Sequence, residues 1–256
     1  MEIHFEKYQA LGNNFILVNQ LENKNRFNNK KISFLCDKDH GIGADGIIII
    51  KKCLKADFEI VYYNPDGSKS FCGNGSRCAV DFSIKKELTK KENIYFLAYD
   101  GYHFAKQKGD FISIKMNDIK NIKKFKNDYY INSGAPHYIK IVENLKNIDI
   151  NKKIDQTRLN IGYVSENFNL NFIQIINKNK IEIRTYEKGV ERETQSCGSG
   201  AVAGSIAASF NNIKSPVIVK TNGGLLKVTF EEKNNAFENV FLEGKQKFIF
   251  SGKITM

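Results

Sequence analysis

The chain has 256 residues, of which 41% are hydrophobic and 12% aromatic, so it is a globular protein with one large core or two medium ones rather than a disordered chain. The formal net charge is +11, but the excess lysine is scattered and no RNA-binding motif accompanies it, so no nucleic-acid partner is expected. The first residues lack a signal-peptide pattern and no apolar run has membrane-spanning length, which predicts a cytoplasmic protein without a membrane partner.

Hydrophobic periodicity predicts several short strands and only two clear helices, both of which begin at glycine-rich turns. This pattern is typical of a strand-rich α+β protein. Residues 117–128 are rich in Lys and Asn and have no periodicity, so a domain boundary is predicted there, between residues 1–118 and 119–256. In chain order the predicted elements are strand 47–50, helix 76–88, strand 111–116, strand 181–186, helix 201–210, strand 217–219 and strand 225–230.

Five cysteines stand at irregular spacing, which argues against a disulfide framework. Three of them, Cys36, Cys53 and Cys78, are predicted to be small buried apolar residues. The other two begin an internal repeat. The segment Cys72-Gly73-Asn74-Gly75-Ser76 returns as Cys197-Gly198-Ser199-Gly200-Ala201, once in each half and each time directly before a helical segment. The repeat predicts duplicated domains that face each other across a cleft.

The repeated unit has a specific physical chemistry. Glycines permit a tight turn, and the helix start that follows presents N–H groups and a positive dipole end. A cysteine at that position is expected to have a lowered pKa, and the same N–H groups can hold a carboxylate. Two such thiols on opposite faces of one α-carbon can remove a proton and return another. The expected chemistry is therefore two-base racemisation without an electron-sink cofactor.

Other interpretations of this unit remain open when it is taken alone, because short glycine-rich motifs recur by chance. One is a basic binding module in which the turns cap helices and bind phosphate or nucleic acid. Another is a thiol redox protein, which the absence of a Cys-x-x-Cys motif disfavours.

The chain resembles the diaminopimelate epimerases over nearly its whole length. The order and spacing of the motifs agree throughout. The matching segments are Leu11-Gly12-Asn13-Asn14-Phe15, Gly41-Ile42-Gly43-Ala44-Asp45-Gly46, Tyr63-Asn64-Pro65-Asp66-Gly67-Ser68, Cys72-Gly73-Asn74-Gly75-Ser76-Arg77-Cys78, Gly134-Ala135-Pro136-His137, Asn169-Leu170-Asn171-Phe172, Tyr186-Glu187-Lys188-Gly189 and Thr194-Gln195-Ser196-Cys197-Gly198-Ser199-Gly200.

The resemblance implies two similar domains related by a pseudo-two-fold duplication, each a mixed β-sheet wrapped around a central helix. It implies that the last strand, near residues 248–254, returns to the first domain. The family reaction interconverts LL- and meso-2,6-diaminopimelate without pyridoxal phosphate or metal, on the route to lysine and peptidoglycan precursors. A homodimer that binds a small amino-acid substrate is therefore expected.

The resemblance also assigns site residues. Cys72 and Cys197 are the two bases. The remaining residues bind the substrate: backbone donors to its carboxylate at Gly73, Asn74, Gly198 and Ser199, amide side chains at Asn13, Asn64 and Asn171, and the ammonium partner Glu187. Lys188 is either a surface cation or a cleft residue that binds the substrate, and its position after a strand end, beside Glu187, favours the cleft.

Three departures from the family pattern fall near the distal end of the substrate. Ala135 stands where Asn or Ser is frequent, and Lys188 stands where the family has Arg, whose forked guanidinium lysine cannot reproduce. One additional residue precedes Cys197, and Arg192 in that segment is a candidate for the missing guanidinium. An alternative within the same fold is a racemase of proline, hydroxyproline or histidine. His137 is predicted to be a structural hydrogen-bonding residue rather than a base.

Overall fold

The computed structural model describes residues 2–21, 26–161, 168–234 and 236–256. It forms two compact units, of which the first comprises Met1–Ile114 with Gly244–Met256 and the second Lys115–Glu243. The sequence analysis placed a boundary between residues 118 and 119, whereas the first unit here ends at Ile114 and resumes at Gly244. No helix among the described residues is both long and apolar enough to cross a membrane.

Strands dominate the secondary structure and four helices interrupt them within the described ranges. In chain order the elements are β1 (Glu2–Ala10), β2 (Asn13–Asn19), α1 (Asn29–Cys36), β3 (Gly46–Lys51), β4 (Phe58–Tyr63), α2 (Gly73–Lys85), β5 (Asn93–Ala98), β6 (Gly101–Lys108), β7 (Phe111–Lys115), β8 (Lys123–Phe125), β9 (Asp128–Asn132), β10 (Pro136–Ile141), α3 (Ile150–Ile161), β11 (Asn169–Asn177), β12 (Lys180–Glu187), β13 (Arg192–Thr194), α4 (Gly198–Ser209), β14 (Val217–Thr221), β15 (Gly224–Lys233), β16 (Ala236–Lys245) and β17 (Lys247–Thr255).

The first unit is a mixed sheet around the helix α2. β1 pairs antiparallel with β2, β2 parallel with β3 across α1, β3 antiparallel with β4, β4 parallel with β5 across α2, and β5 antiparallel with β6. The last strand of the chain, β17, pairs antiparallel with β1 and so belongs to this unit. α2 contacts β1, β2, β3 and β4, and it is buried without interruption from Asn74 to Ser83.

The second unit repeats this succession of pairings. β9 pairs antiparallel with β10, β10 parallel with β11 across α3, β11 antiparallel with β12, β12 parallel with β14 across α4, and β14 antiparallel with β15. Its central helix α4 consists largely of Ala, Gly and Ser, because strands contact it on several sides and leave little room for long side chains. The predicted α+β fold of two similar units, each with a central helix, is confirmed.

The two central helices start in the same way. Both begin inside the glycine turns, at Gly73 and Gly198, and not after them as the hydrophobic pattern indicated. All the predicted strands lie within β3, β7, β12, β14 and β15, apart from one residue beyond the end of β7. The short helices α1 and α3 were not predicted, because their apolar positions are too few to produce a clear helical period.

Candidate active site

Cys72 is the N-cap residue of α2, with an extended backbone (φ −132°, ψ 108°) that turns the chain into the helix. Its sulfur accepts a hydrogen bond from the backbone N–H of Gly75 at 3.4 Å. A sulfur that accepts from a helix N-terminus is stabilised in its negatively charged form. An added Cβ at Gly75 would lie 2.9 Å from the Cδ1 atom of Ile48, so a side chain here would require that methyl group to move.

Asn74, the second residue of α2, is held by side chains on both sides. Its Nδ2 donates to Oδ1 of Asn13 at 2.6 Å, and its Oδ1 accepts from Nη2 of Arg77 at 2.6 Å. Nη1 of Arg77 donates to the carbonyl oxygen of Gly73 at 3.4 Å. The predicted site residues Asn13, Gly73 and Asn74 are therefore joined around the start of α2. Arg77 completes this group, although sequence analysis gave it no role.

Asn64 directly follows β4 and closes the turn that leads toward Cys72. Its Nδ2 donates to the Oγ atoms of Ser68 and Ser70, at 3.0 and 3.2 Å. The Asp66 carboxylate accepts from the backbone N–H and the hydroxyl of Ser68, which holds its pKa below the ordinary value. The half-buried Asn64 amide thus has a clear role in the turn, and its contact with a substrate stays a prediction.

Cys197 occupies the same place at the start of α4, with nearly the same backbone angles (φ −116°, ψ 116°). Its sulfur lies 3.5 Å from Oγ of Ser199, the residue that corresponds to Asn74. Ser199 is held at two points: its carbonyl oxygen accepts from the Ser133 hydroxyl at 2.8 Å, and its Oγ lies 2.9 Å from Nε2 of His137. The second cysteine turn is therefore held by Ser133 and His137, whereas the first is held by Asn13 and Arg77.

The protonation of His137 follows from its neighbours. Nδ2 of Asn171 lies 3.0 Å from Nδ1 of His137 and also donates to the carbonyl oxygens of Tyr138 and Asn169, at 3.2 and 3.1 Å. Because an amide nitrogen only donates, His137 Nδ1 accepts and Nε2 carries the proton. Burial lowers the pKa of His137 from 6.5 to about 3, which keeps the ring neutral. His137 therefore donates to Ser199, as the structural role predicted for it requires.

Asn171 corrects the sequence analysis, which predicted that its side chain binds the substrate. The residue is fully buried, its Nδ2 has three acceptors, and its Oδ1 accepts from the Thr185 hydroxyl at 2.9 Å. Its hydrogen-bonding capacity is used inside the unit, so it orients His137 instead. Asn169, two residues earlier, is the first residue of β11, and its Oδ1 accepts from the backbone N–H of Lys188 at 2.9 Å. Because two asparagines stand two residues apart in Asn169-Leu170-Asn171, the sequence did not show which of them is enclosed within the unit.

Glu187 ends β12 and corresponds in register to Asn64. In the first unit Ile48 pairs with Tyr62, which stands two residues before Asn64. In the second unit Asn171 pairs with Thr185, which stands two residues before Glu187. Ile48 and Asn171 are equivalent, because each lies against the second glycine of its cysteine turn. The half-buried Glu187 carboxylate accepts from the Thr194 hydroxyl. The repeat thus places one polar side chain at the same strand end in each unit.

Lys188 and Arg192 flank Glu187 on the surface of the second unit. Arg192 is exposed on β13 and is the direct ladder partner of Glu187, so the two side chains leave the same face of the sheet. The exposed Lys188 follows in the turn to β13. Two cations therefore lie beside this carboxylate in sequence and in the ladder. Their contact with a substrate stays a prediction.

The other three cysteines are free thiols without a place in either turn. Cys36 and Cys78 are buried as predicted, and burial raises the pKa of Cys36 to about 12 and raises that of Cys78 as well. The prediction was wrong for Cys53, which is half exposed in the segment after β3. In the part of the chain that the structure describes, no group of three or more His, Cys, Asp or Glu side chains is arranged to hold a metal.

Solved structures share the fold across nearly the whole chain. The Bacillus anthracis phenazine biosynthesis protein of the PhzF family has a TM-score of 0.78 at 13% identity and matches 100% of both chains. The hydroxyproline epimerase from Agrobacterium vitis has a TM-score of 0.70 at 10% identity, over 99% of this chain and 92% of that chain. At these identities the similarity shows the fold alone. The class of the protein, an isomerase of the racemase and epimerase type, follows from its sequence relatives.

Sequence comparison gives the family within this class. The family model for diaminopimelate epimerase matches residues 5–116 and 129–249. The diaminopimelate epimerase of Flavobacterium psychrophilum is 38% identical over 253 residues, which is 97% of this chain and 98% of that relative. That of Campylobacter lari is 36% identical over 254 residues, which is 96% of each. The chain belongs to the diaminopimelate epimerase family, and the resemblance seen in its motifs is confirmed.

Proposed function

We propose that this protein interconverts LL- and meso-2,6-diaminopimelate by a two-base mechanism in which Cys72 and Cys197 are the bases. The observation that carries the proposal is the duplicated turn: a cysteine at the N-cap of a buried helix in each unit. The names of the relatives support the substrate, and the pathway to lysine follows from the family name. The alternative substrates proline, hydroxyproline and histidine have no such support among these relatives.

The proton transfer can be written with these groups alone. One thiolate removes the α-proton as the C–H bond breaks, and the electron pair passes into the substrate carboxylate, which becomes enolate-like. The other cysteine, as a thiol, gives its proton to the opposite face of the carbon. The configuration inverts, and the two sulfurs exchange their protonation states. The two titrations are therefore coupled.

The helix starts are suited to stabilise the developing charge. In α2 the first backbone N–H groups are those of Gly73 and Asn74, and in α4 they are those of Gly198 and Ser199. Such groups accept a carboxylate and stabilise it more strongly as negative charge accumulates. Because Asn74 and Ser199 are held by side-chain hydrogen bonds, these donors are preorganised before the substrate binds.

Polar groups at the strand ends are assigned to the rest of the substrate. We assign Glu187 to an ammonium group, and Asn13 and Asn64 to hydrogen bonds with the substrate. Lys188 and Arg192 are assigned to the distal carboxylate, where Arg192 supplies the guanidinium that Lys188 lacks. The proposal includes a cytoplasmic homodimer that requires no cofactor.

The test is incubation of the purified protein with LL-diaminopimelate under reducing conditions, followed by chromatographic separation of the stereoisomers. The expected result is an approach to equilibrium between the LL and meso forms from either side. Proline, hydroxyproline and histidine serve as parallel substrates, and turnover of one of these without turnover of diaminopimelate would overturn the assignment. Light scattering measures the expected dimer.

A further inference from the structure

Arg77 is the largest fully buried side chain of the described residues, and its surroundings are unusual for a cation. Its guanidinium extends back along α2 to the first turn, where it donates to Gly73 and Asn74. The titratable groups beside it are the thiols of Cys78 and Cys72, not a carboxylate. Burial lowers the pKa of Arg77 to about 10, so it remains protonated at neutral pH.

A buried cation is costly to place at this end of a helix. Charges removed from water require a partner, and the N-terminus of a helix already carries positive partial charge. The hydrogen bonds to an amide oxygen and a carbonyl oxygen satisfy two nitrogens of Arg77, while its Nε has no hydrogen-bond partner. An anion at the start of α2 would offset both the burial of the cation and its repulsion from the positive end of the helix dipole. The Cys72 sulfur is the ionisable group located there.

The titratable groups around this end of α2 leave Cys72 as that anion. Burial raises the pKa of Cys78, so its thiol stays neutral. Asp81 lies one turn further along α2 and pairs with Lys85 at 2.6 Å. Tyr8 of β1 faces Asp81, and its pKa is also raised by burial.

The second unit has no equivalent cation in its central helix. The position in α4 that corresponds to Arg77 is occupied by Val202, which is fully buried. Ser199, the counterpart of Asn74, is held by the neutral imidazole of His137 instead of a guanidinium. The repeat has therefore kept the cysteine turn in both units but placed a buried positive charge behind only one of them.

We propose, on the basis of the function proposed above, that Arg77 is a positioning residue that holds the first turn of α2 and favours the thiolate of Cys72. Cys72 is then the thiolate and Cys197 the thiol in the protein without substrate. The difference between the units sets the direction in which the first proton moves. A substrate isomer whose α-hydrogen faces Cys72 reacts directly, whereas the other isomer requires the protonation states to be exchanged first.

The test is the pH dependence of alkylation of each cysteine by iodoacetamide, followed by mass spectrometry of the two peptides. Only thiolates react, so the midpoint of each rate profile reports the pKa of that thiol regardless of its exposure. In the wild-type protein the Cys72 midpoint is expected below the Cys197 midpoint. Equal midpoints, or the reverse order, would overturn the inference without any variant being made.

Arg77→Met removes the charge and keeps most of the side-chain volume. It is expected to raise the Cys72 midpoint by about one pH unit, which corresponds to roughly tenfold less thiolate at neutral pH. The Cys197 midpoint is expected to stay unchanged. Arg77→Lys keeps the cation and is expected to retain the low Cys72 midpoint while weakening the hold on Asn74. Val202→Met places the same buried residue in α4 and is expected to move neither midpoint.

A folded Arg77→Met protein with an unchanged Cys72 midpoint would overturn the inference. If that variant does not fold, the inference is tested by the wild-type midpoints and by Arg77→Lys. A Cys72 midpoint above that of Cys197 in the Arg77→Lys protein would contradict the inference. These measurements use no substrate. Absence of diaminopimelate turnover therefore overturns the proposed function alone, whereas an active enzyme with equivalent thiols overturns only this inference.

Discussion

The Ser199 hydroxyl lies 2.9 Å from Nε2 of His137 and 3.5 Å from the Cys197 sulfur. Because His137 carries its proton on Nε2, Ser199 accepts there and its own hydrogen is available to the sulfur. The hydrogen bonds thus run in one direction, from Thr185 through Asn171, His137 and Ser199 to Cys197. A neutral relay of this kind orients the second thiol without adding a charge beside it.

Ser199→Ala removes the last donor of this relay and is expected to slow epimerisation. Hydrogen bonds to charged groups contribute about 1.5–3 kcal/mol, so kcat is predicted to fall roughly ten- to a hundredfold with little change in KM. Ser199→Thr retains the hydroxyl and serves as the control. Steady-state kinetics with both stereoisomers checks this, and an Ala variant with wild-type kcat would show that the relay has no part in the reaction.

Asn171→Leu distinguishes an orienting residue from one that binds substrate. The change leaves the buried Nδ1 of His137 and two backbone carbonyl oxygens without their donor, which is predicted to lower the free energy of unfolding by about 1–3 kcal/mol. Urea denaturation without substrate measures it. Asn177→Ala, at an exposed position of the same strand, is the control and should have little effect. A variant of unchanged stability but raised KM would restore Asn171 as a substrate ligand.

Alanine at the two helix-turn glycines should have unequal effects. At Gly200 the added Cβ would lie 2.7 Å from Oδ1 of Asn171, which hydrogen bonds hold in place, and 3.3 Å from Oγ1 of Thr185. At Gly75 it would meet the terminal methyl of Ile48, which can rotate away.

Gly200→Ala is therefore predicted to cost about 1–3 kcal/mol of stability and most of the activity, and Gly75→Ala less of both. Thermal unfolding and activity are measured on the pair together. Equal losses in the two variants would mean that the Asn171 side chain is not held as the structure shows.

The buried neutral ring of His137 makes stability depend on pH. Its pKa is lowered from 6.5 to about 3 in the folded protein, so the unfolded chain binds the additional proton between these values. Stability is therefore complete above pH 6.5 and falls as the pH decreases toward 3.

His137→Gln removes the contribution of the neutral histidine to stability. The difference in urea midpoint between wild type and variant should therefore shrink as the pH is lowered below 6.5. His40→Gln, at an exposed position, should follow the wild type. Parallel curves for wild type and His137→Gln would contradict a buried neutral histidine.

The sequence predicted the two cysteine turns because their chemistry is local: glycines, a helix start and a thiol lie within a few residues. It did not separate Asn171 from Asn169, because the two side chains leave the same face of β11 and only the pairing with β10 and β12 shows which of them lies deeper in the unit. Arg77 lay within a matched motif, yet only the packing of α2 shows that its cation is buried. The helices α1 and α3 were missed because they obtain their stability from the sheet rather than from their own periodicity.

The most direct test of the two-base mechanism is the reaction of LL-diaminopimelate in deuterium oxide, for wild type, Cys72→Ser, Cys197→Ser and the control Cys53→Ser. Proton removal by one sulfur and delivery by the other predicts that meso product carries one α-deuterium while unreacted LL substrate carries none early in the reaction. Either active-site serine variant should lose epimerisation, and Cys53→Ser should retain it. Deuterium appearing equally in recovered substrate and product, or turnover surviving in both active-site variants, would contradict Cys72 and Cys197 as the two bases.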